Sequence, residues 1–265
     1  MEQINMKALL VTGGFIDDKF TLDYIKKENY DIIFAIDRGL EFFERTGLVP
    51  DYIVGDFDSV AEEVLKKYSC LSDDKKDNIY ETEKLKDIQN DLLARYREDI
   101  TREQIDTVII RLTPMKDDTD TQHALQMALE LGCNCIHIFG ATGTRLDHVL
   151  GNLQLLGYAL RQQIECMLID PYNCIRLINK ETILEKEQQF GKYVSLIPYT
   201  PEVTGITLEG FLYPLKNDTM SSFYQENATL ISGVSNEIVD KTAKISLESG
   251  ILILVEARDS FAHDE

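Results

Sequence analysis

The sequence predicts an α/β fold, a doubly wound and mostly parallel sheet, followed by an all-β sandwich domain. Two observations predict the first part. Apolar β-like runs alternate with amphipathic helical stretches through the first two thirds of the chain, and several of those runs end directly on aspartate or glycine. A third observation predicts the second part: after Asp170-Pro171, helical periodicity gives way to short strand-like runs with turns between them.

Taken in order, residues 7–11 (KALLV) read as a buried strand, closed by a turn at Gly13-Gly14. Residues 20–27 are a short amphipathic helix, and 31–36 (DIIFAI) a second strand ending at Asp37. Residues 40–45 are helical, and Gly47 stops them. Residues 52–54 lead as a strand into Gly55-Asp56, and 60–68 are helical. Residues 107–112 (TVIIRL) form a strand. Residues 119–131 form a helix with Ala124, Leu125, Ala128 and Leu129 on its apolar face and Gly132 as its C-terminal cap. A strand at 136–139, a helix at 146–160 and a strand at 166–169 complete the alternation. Strand-like runs then fall at 174–178, 182–185, 193–197, 205–208, 228–231, 243–247 and 251–255. The expected division is an α/β catalytic domain over residues 1–175 and a β-sandwich domain over 176–265. Residues 71–104 break the rhythm. They are densely charged and read as an exposed, helical insertion with Ile88, Leu92, Leu93 and Tyr96 on its sticky side. A decoration of the fold is the preferred reading, a lid the alternative.

A chain of 265 residues, 44% hydrophobic and 28% charged, buries a sizeable core in one large or two modest domains. Its formal net charge of −19 argues against non-specific nucleic-acid binding. It leaves room for an anionic ligand where a metal ion or local Lys and Arg screen the charge. The first residues lack a basic start followed by an apolar core, and no apolar run approaches the roughly 20 residues of a membrane span. A cytoplasmic protein with no membrane partner is expected. Cys133-x-Cys135 has no second ligand pair, so the five cysteines read as reduced and structural.

Three acidic clusters carry the chemistry. Asp56 and Asp58 follow a strand in Gly55-Asp56-Phe57-Asp58-Ser59. Two carboxylates so spaced suit one hard cation that keeps positions open for phosphate oxygens. They equally suit capping of the next helix, with Asp58 or Ser59 as the cap, and the two readings are compatible. Lys116-Asp117-Asp118-Thr119-Asp120 follows another strand and opens a helix. Thr119 is an N-cap candidate, but three carboxylates exceed what a cap requires, which favours a metal ion or cationic ligand. Lys116 stands where it can touch a phosphate. In the third cluster, Gly140-Ala141-Thr142-Gly143-Thr144-Arg145 is a glycine-containing loop before a helix, suited to phosphate. Arg145 supplies a forked donor, and Asp147 is placed to orient it. No Walker A or G-x-G-x-x-G pattern is present. His148 reads equally as structural or catalytic, whereas His123 and His137 read as structural. Thr12-Gly13-Gly14 and Asp37-Arg38-Gly39 also fall at strand ends, so four or five such ends converge on polar or glycine residues.

Those motifs together resemble the thiamine pyrophosphokinase family. The resemblance rests on Asp37-Arg38-Gly39, the run from Pro50 to Ser59, Lys116 to Asp120, Gly140 to His148 with Asn152, and Gly233-Val234-Ser235-Asn236-Glu237. It spans nearly the whole chain. It implies transfer of the pyrophosphoryl group of ATP to the thiamine hydroxyl, with Mg²⁺, in a homodimer whose interface active sites draw on both chains. Residue by residue, it implies Asp56, Asp58 and Asp120 as Mg²⁺-binding and catalytic carboxylates; apart from the resemblance, one aspartate, foremost Asp120, is expected to assist deprotonation of the hydroxyl. It implies Asp37, Lys116, Asp117, Thr119, Arg145 and Asp147 on the ATP side, and Ser235 and Asn236 for thiamine. Thr144 departs from the pattern, standing where a second glycine is usual. The chain has no Trp, so aromatic packing on thiamine falls to Tyr or Phe. Two other readings stand beside this one. One is a haloacid-dehalogenase-like phosphatase with Asp56 as nucleophile in Asp56-x-Asp58-x-Val60. The other is a non-enzymatic nucleotide or thiamine binder.

Overall fold

The computed structural model describes residues 6–57, 68, 79–81, 107–112, 118–223 and 233–259. The expected helix at 60–68 and the strand at 228–231 lie outside them, apart from Tyr68. Two compact units divide the chain. The first comprises residues 1–155 with 163–165, and the second residues 156–162 with 166–265.

In the first unit the elements are β1 (Lys7–Val11), α1 (Asp18–Lys27), β2 (Ile32–Ile36), α2 (Leu40–Thr46), β3 (Tyr52–Gly55), β4 (Ile79–Glu81), β5 (Val108–Arg111), α3 (Asp120–Glu130) and β6 (Cys135–Phe139). They are followed by α4 (Leu146–Arg161), whose residues to Leu155 belong to this unit. The strands pair in the order β6-β1-β2-β3-β5-β4, every pair parallel. The winding runs outward from β1 through β2 and β3, then returns across the sheet to β6 on the other side of β1. With right-handed crossovers, helices cover both faces of such a sheet. It also puts a topological switch point between β1 and β6, where open α/β sheets bind ligands.

Local sequence explains the elements. β2 is apolar at all five positions and buried throughout, as a strand covered on both faces must be. Phe34 and Tyr52 face each other across β2 and β3 in register, rings stacked at 4.8 Å. Asp17 caps α1 by accepting from the Phe20 N–H at 2.8 Å. Arg45 of α2 forks onto Asp18 at the start of α1 with two bonds of 2.8 Å. Gly47 ends α2 at φ 72°. The insertion expected to be helical at 71–104 lies outside the described residues except for 79–81, which form β4 and pair with β5 from Ile79↔Ile109 to Glu81↔Arg111.

The second unit holds β7 (Glu165–Ile169, from Cys166), β8 (Asn173–Ile178), β9 (Thr182–Glu185), β10 (Tyr193–Pro198), β11 (Glu202–Glu209), β12 (Leu215–Ser221), β13 (Asn236–Glu237), β14 (Thr242–Ser246) and β15 (Leu252–Ala257). Its strands pair antiparallel as β7-β8-β15-β10-β13 and as β12-β11-β14-β9. One apolar core draws Val194, Leu196 and Leu254 from the first set and Ile206, Leu208 and Ile245 from the second, which is the sandwich arrangement. β7, from Cys166, lies ahead of the expected boundary at 175/176 and β8 straddles it, and both fall in this unit. β12 was invisible to the hydrophobic pattern. Its sequence, LKNDTMS, buries only Met220, and its pairing with β11 defines it. Cys133, Cys135, Cys166 and Cys174 are buried thiols. Among the described residues no helix is long and apolar enough to cross a membrane.

Candidate active site

The carboxyl ends of β1, β2 and β6 are packed backbone against backbone. A Cβ at Gly39 would run into the carbonyl oxygen of Val11, and one at Gly140 into that of Thr12. Gly140 also has φ 70°, which disfavours any other residue. The Thr12 N–H donates to Phe139 O at 2.9 Å, Gly14 N–H to Gly140 O at 2.9 Å, and Phe15 N–H to Thr142 O at 2.7 Å. The turn after β1 is thereby zipped to the loop after β6. Asn152 of α4 holds the same loop, its Nδ2 donating to Ala141 O at 2.8 Å.

Three carboxylates converge at this edge. Asp37 follows β2, Asp56 follows β3, and Asp120 opens α3. One oxygen from each lies within 4.8 Å of the other two, and all three residues are half-buried. Asp37 takes φ 47°, a left-handed conformation that aspartate tolerates better than most side chains. It starts a 3₁₀ turn, Asp37–Gly39, that runs into α2. Asp120 is fixed by the cap of α3. There Thr119 Oγ1 accepts from the Gln122 N–H at 3.2 Å, and Gln122 Nε2 donates to Asp118 Oδ1 at 2.7 Å. The Thr121 hydroxyl lies 3.2 Å from that of Thr12, tying the start of α3 to the β1 turn. After Asp56, the buried Phe57 ring sits 5.9 Å from the Arg111 guanidinium.

Like charges this close repel unless a cation or a proton intervenes. The donor set is all carboxylate oxygen, which fits a hard divalent ion such as Mg²⁺. Of the metal residues read from sequence, Asp56 and Asp120 are brought together. Asp58 lies outside the described residues, as do Lys116 and Asp117. Asp37, expected on the nucleotide side, has its carboxylate beside those of Asp56 and Asp120. The available signal was its place at a strand end beside the other two. Thr119 serves the helix cap.

Arg145 and Asp147 form a forked pair, Nε to Oδ1 at 3.2 Å and Nη2 to Oδ2 at 2.5 Å, with both side chains mostly in solvent. That bond with Arg145 holds the Asp147 carboxyl down at about 2. Asp147 thus fixes the direction of Arg145. His148 is exposed. His137 is buried in β6, its Nδ1 2.8 Å from the Tyr30 hydroxyl, so it is structural.

In the second unit, Ser235 (φ 60°) donates its N–H to Ser195 Oγ at 3.0 Å. Asn236 is buried, and its amide is committed to backbone. Its Oδ1 accepts from the Tyr213 N–H at 3.0 Å and from its own neighbour Glu237 N–H at 2.9 Å, and its Nδ2 donates to Tyr213 O at 2.8 Å. A mainly apolar pocket opens here, lined among others by Val194, Leu196, Phe211, Tyr213, Val234 and Asn236. Tyr213 remains 65% exposed, so an aromatic ring stands at the pocket on a clamped backbone. Sequence reasoning pointed to Asn236 as a ligand contact. In the structure its amide also holds the Tyr213 backbone, and Tyr213, which no motif had marked, lines the same pocket.

Comparison with known proteins places both units. The family model described as thiamin pyrophosphokinase, catalytic domain, matches residues 24–168, and that for the thiamin pyrophosphokinase vitamin B1 binding domain matches residues 180–252. A thiamine pyrophosphokinase of Bacillus subtilis is 29% identical over 88% of this chain and 90% of its own length. The crystal structure of thiamine pyrophosphokinase from Bacillus subtilis superposes with a TM-score of 0.70 at 29% identity, covering 96% of this chain and all of that one. That of thiamin pyrophosphokinase from Geobacillus thermodenitrificans does so with a TM-score of 0.68 at 28% identity, covering 97% of this chain and 99% of that one.

Proposed function

The chain belongs to the thiamin pyrophosphokinase family, and on that premise we propose that Asp37, Asp56 and Asp120 are the Mg²⁺-holding centre of its reaction. The activity is that of a thiamine diphosphokinase, in which the pyrophosphoryl group of ATP passes to the thiamine hydroxyl and AMP leaves. The observation that carries the site assignment is the convergence of three carboxylates at the carboxyl edge of the sheet.

Mg²⁺ bound there supplies neutralisation of charge on the phosphate oxygens and alignment of the transferring group. The chain's own residues do the rest. Asp120, set by the α3 cap, accepts the proton of the thiamine hydroxyl. Asp147 holds Arg145 through its Nε and Nη2, and the remaining guanidinium N–H groups are offered to phosphate. Asp58, Lys116 and Asp117 join this side by motif. On the thiamine side, Ser235 and the Tyr213 ring present a polar group and an aromatic face, and thiamine is a cation that such a face attracts. Asn236 keeps Tyr213 in place. The proposed assembly is a cytoplasmic homodimer whose active sites take residues from both chains.

The test is release of AMP from ATP and Mg²⁺, with and without thiamine, for the native protein and for Asp56→Ala. Thiamine-dependent AMP, lost in Asp56→Ala, is expected. Phosphate release with a phosphorylated Asp56 would instead favour the phosphatase reading, which neither the family matches nor the position of Asp56 after the third strand supports.

A further inference from the structure

We infer that Gly55 is a positioning residue: its missing side chain is what admits the Asp37 carboxylate to the cluster with Asp56 and Asp120. The inference rests on the metal-site reading above.

Glycine occurs at this edge for two different reasons. At Gly14, Gly39 and Gly140, a Cβ would meet backbone carbonyl oxygens, those of Gly140 and Thr142, of Val11, and of Thr12 respectively. An added carbon there must displace main chain, so these glycines serve the fold. Gly55 differs. It ends β3 in ordinary strand conformation, outside the left-handed region that calls for glycine. Its backbone is locked in the sheet, with its carbonyl accepting from the Leu112 N–H at 2.9 Å. A Cβ on it would collide with Asp37 Oδ1, and the next nearest atoms are Phe57 Cε1 at 3.2 Å and Asp37 Cγ at 3.3 Å. These three nearest atoms belong to side chains. The conformation of residue 55 would suit any amino acid, and the Asp37 carboxylate takes most of the space a Cβ would fill, with the Phe57 ring edge beside it.

The register explains the encounter. β2 and β3 run parallel with Ile36 opposite Val54, so Asp37 and Gly55 are the next residues along each strand. The Asp37 backbone has little freedom. It is held at φ 47° at the head of a turn whose third residue, Gly39, abuts Val11 O. An intruding methyl at 55 is therefore relieved by rotation of the Asp37 side chain. The carboxylate turns away while the sheet stays as it is, and the cluster loses one of its three oxygens.

The experiment measures binding of Mn²⁺ alone, by electron paramagnetic resonance of the free ion, for the native protein, Gly55→Ala, Asp37→Ala, the double variant and Asp56→Ala. Gly55→Ala is expected to weaken Mn²⁺ about tenfold or more, the range seen when groups that orient metal ligands are removed. In the Asp37→Ala background, Gly55→Ala should add nothing, because the carboxylate it displaces is gone. Equal weakening in both backgrounds would overturn the inference, since the effect would not run through Asp37. Unchanged Mn²⁺ affinity in Gly55→Ala, with loss in Asp56→Ala, would overturn it and leave the metal site standing. Unchanged affinity in Asp56→Ala would instead remove the metal site and the inference with it. Should Gly55→Ala fail to fold, folding of the double variant supports the steric coupling, and failure of both overturns it.

Discussion

The two candidate site regions are built in opposite ways. At the edge of the parallel sheet, three like charges are held within 4.8 Å of one another by strand ends, a helix cap and a residue in left-handed conformation. In the β unit, the pocket wall is ordinary sandwich core, Val194, Leu196 and Phe211, finished by an amide that clamps Tyr213. In the first region the fold brings like charges together, and such charges oppose one another unless a cation or a proton intervenes. In the second, the residues that shape the pocket also hold the domain together. Substitution should therefore separate activity from stability at the first region and damage both at the second.

The sharpest separation is expected from Asp56→Ala. Turnover should fall about 10³-fold or more, some 4 kcal/mol of transition-state stabilisation. In metal-free buffer its thermal midpoint should stay level or rise, since one of three repelling charges is gone. A clear drop in that midpoint would break the contrast, because it would make the cluster part of the fold's support. Asn236→Ala is the counterpart. It removes three hydrogen bonds in a buried setting, at about 1 kcal/mol each. Chemical denaturation should show about 3 kcal/mol of lost stability, with a raised KM for thiamine and unchanged Mn²⁺ affinity.

A third measurement compares the charged edge with the interior of the same unit. Burial holds His137 neutral, its pKa pushed down to about 4 from an ordinary 6.5. The unfolded chain therefore binds a proton that the folded chain refuses between those values. Stability is fully present above pH 6.5 and is lost as pH falls toward 4, by about 3 kcal/mol over that window. Denaturation midpoints at pH 7 and pH 5 test this, and a flat profile between them would contradict it. The smallest effect is expected from Tyr213→Ala, about a tenfold rise in KM for thiamine with metal binding intact. A fall in kcat with no change in KM would move Tyr213 from substrate binding to the chemistry.

How much of this was legible beforehand follows the same division. The acidic clusters stood out because carboxylates directly after apolar strands are not needed for folding, so Asp56 and Asp120 could be named from the chain alone. The pocket could not, because its residues carry the same apolar pattern as the rest of the sandwich and are scattered from Val194 to Asn236. β12 was missed for a related reason: six of its seven residues escape full burial, and pairing with β11, not its own composition, makes it a strand. Asn236 was noticed from its motif, but its hold on the Tyr213 backbone was not, because that depends on a partner 23 residues away in the chain.

By itself, the sequence determined the alternation of strands and helices, the change to an antiparallel second part, and the presence of carboxylates at strand ends. These depend on periodicity, caps and turns, which act over a few neighbouring residues. Only the tertiary structure decided which carboxylates meet, that Asp37 is among them, that Gly55 leaves room for it, and that Asn236 faces Tyr213. Those outcomes depend on strand order and register between segments far apart in the chain, which local preferences do not encode.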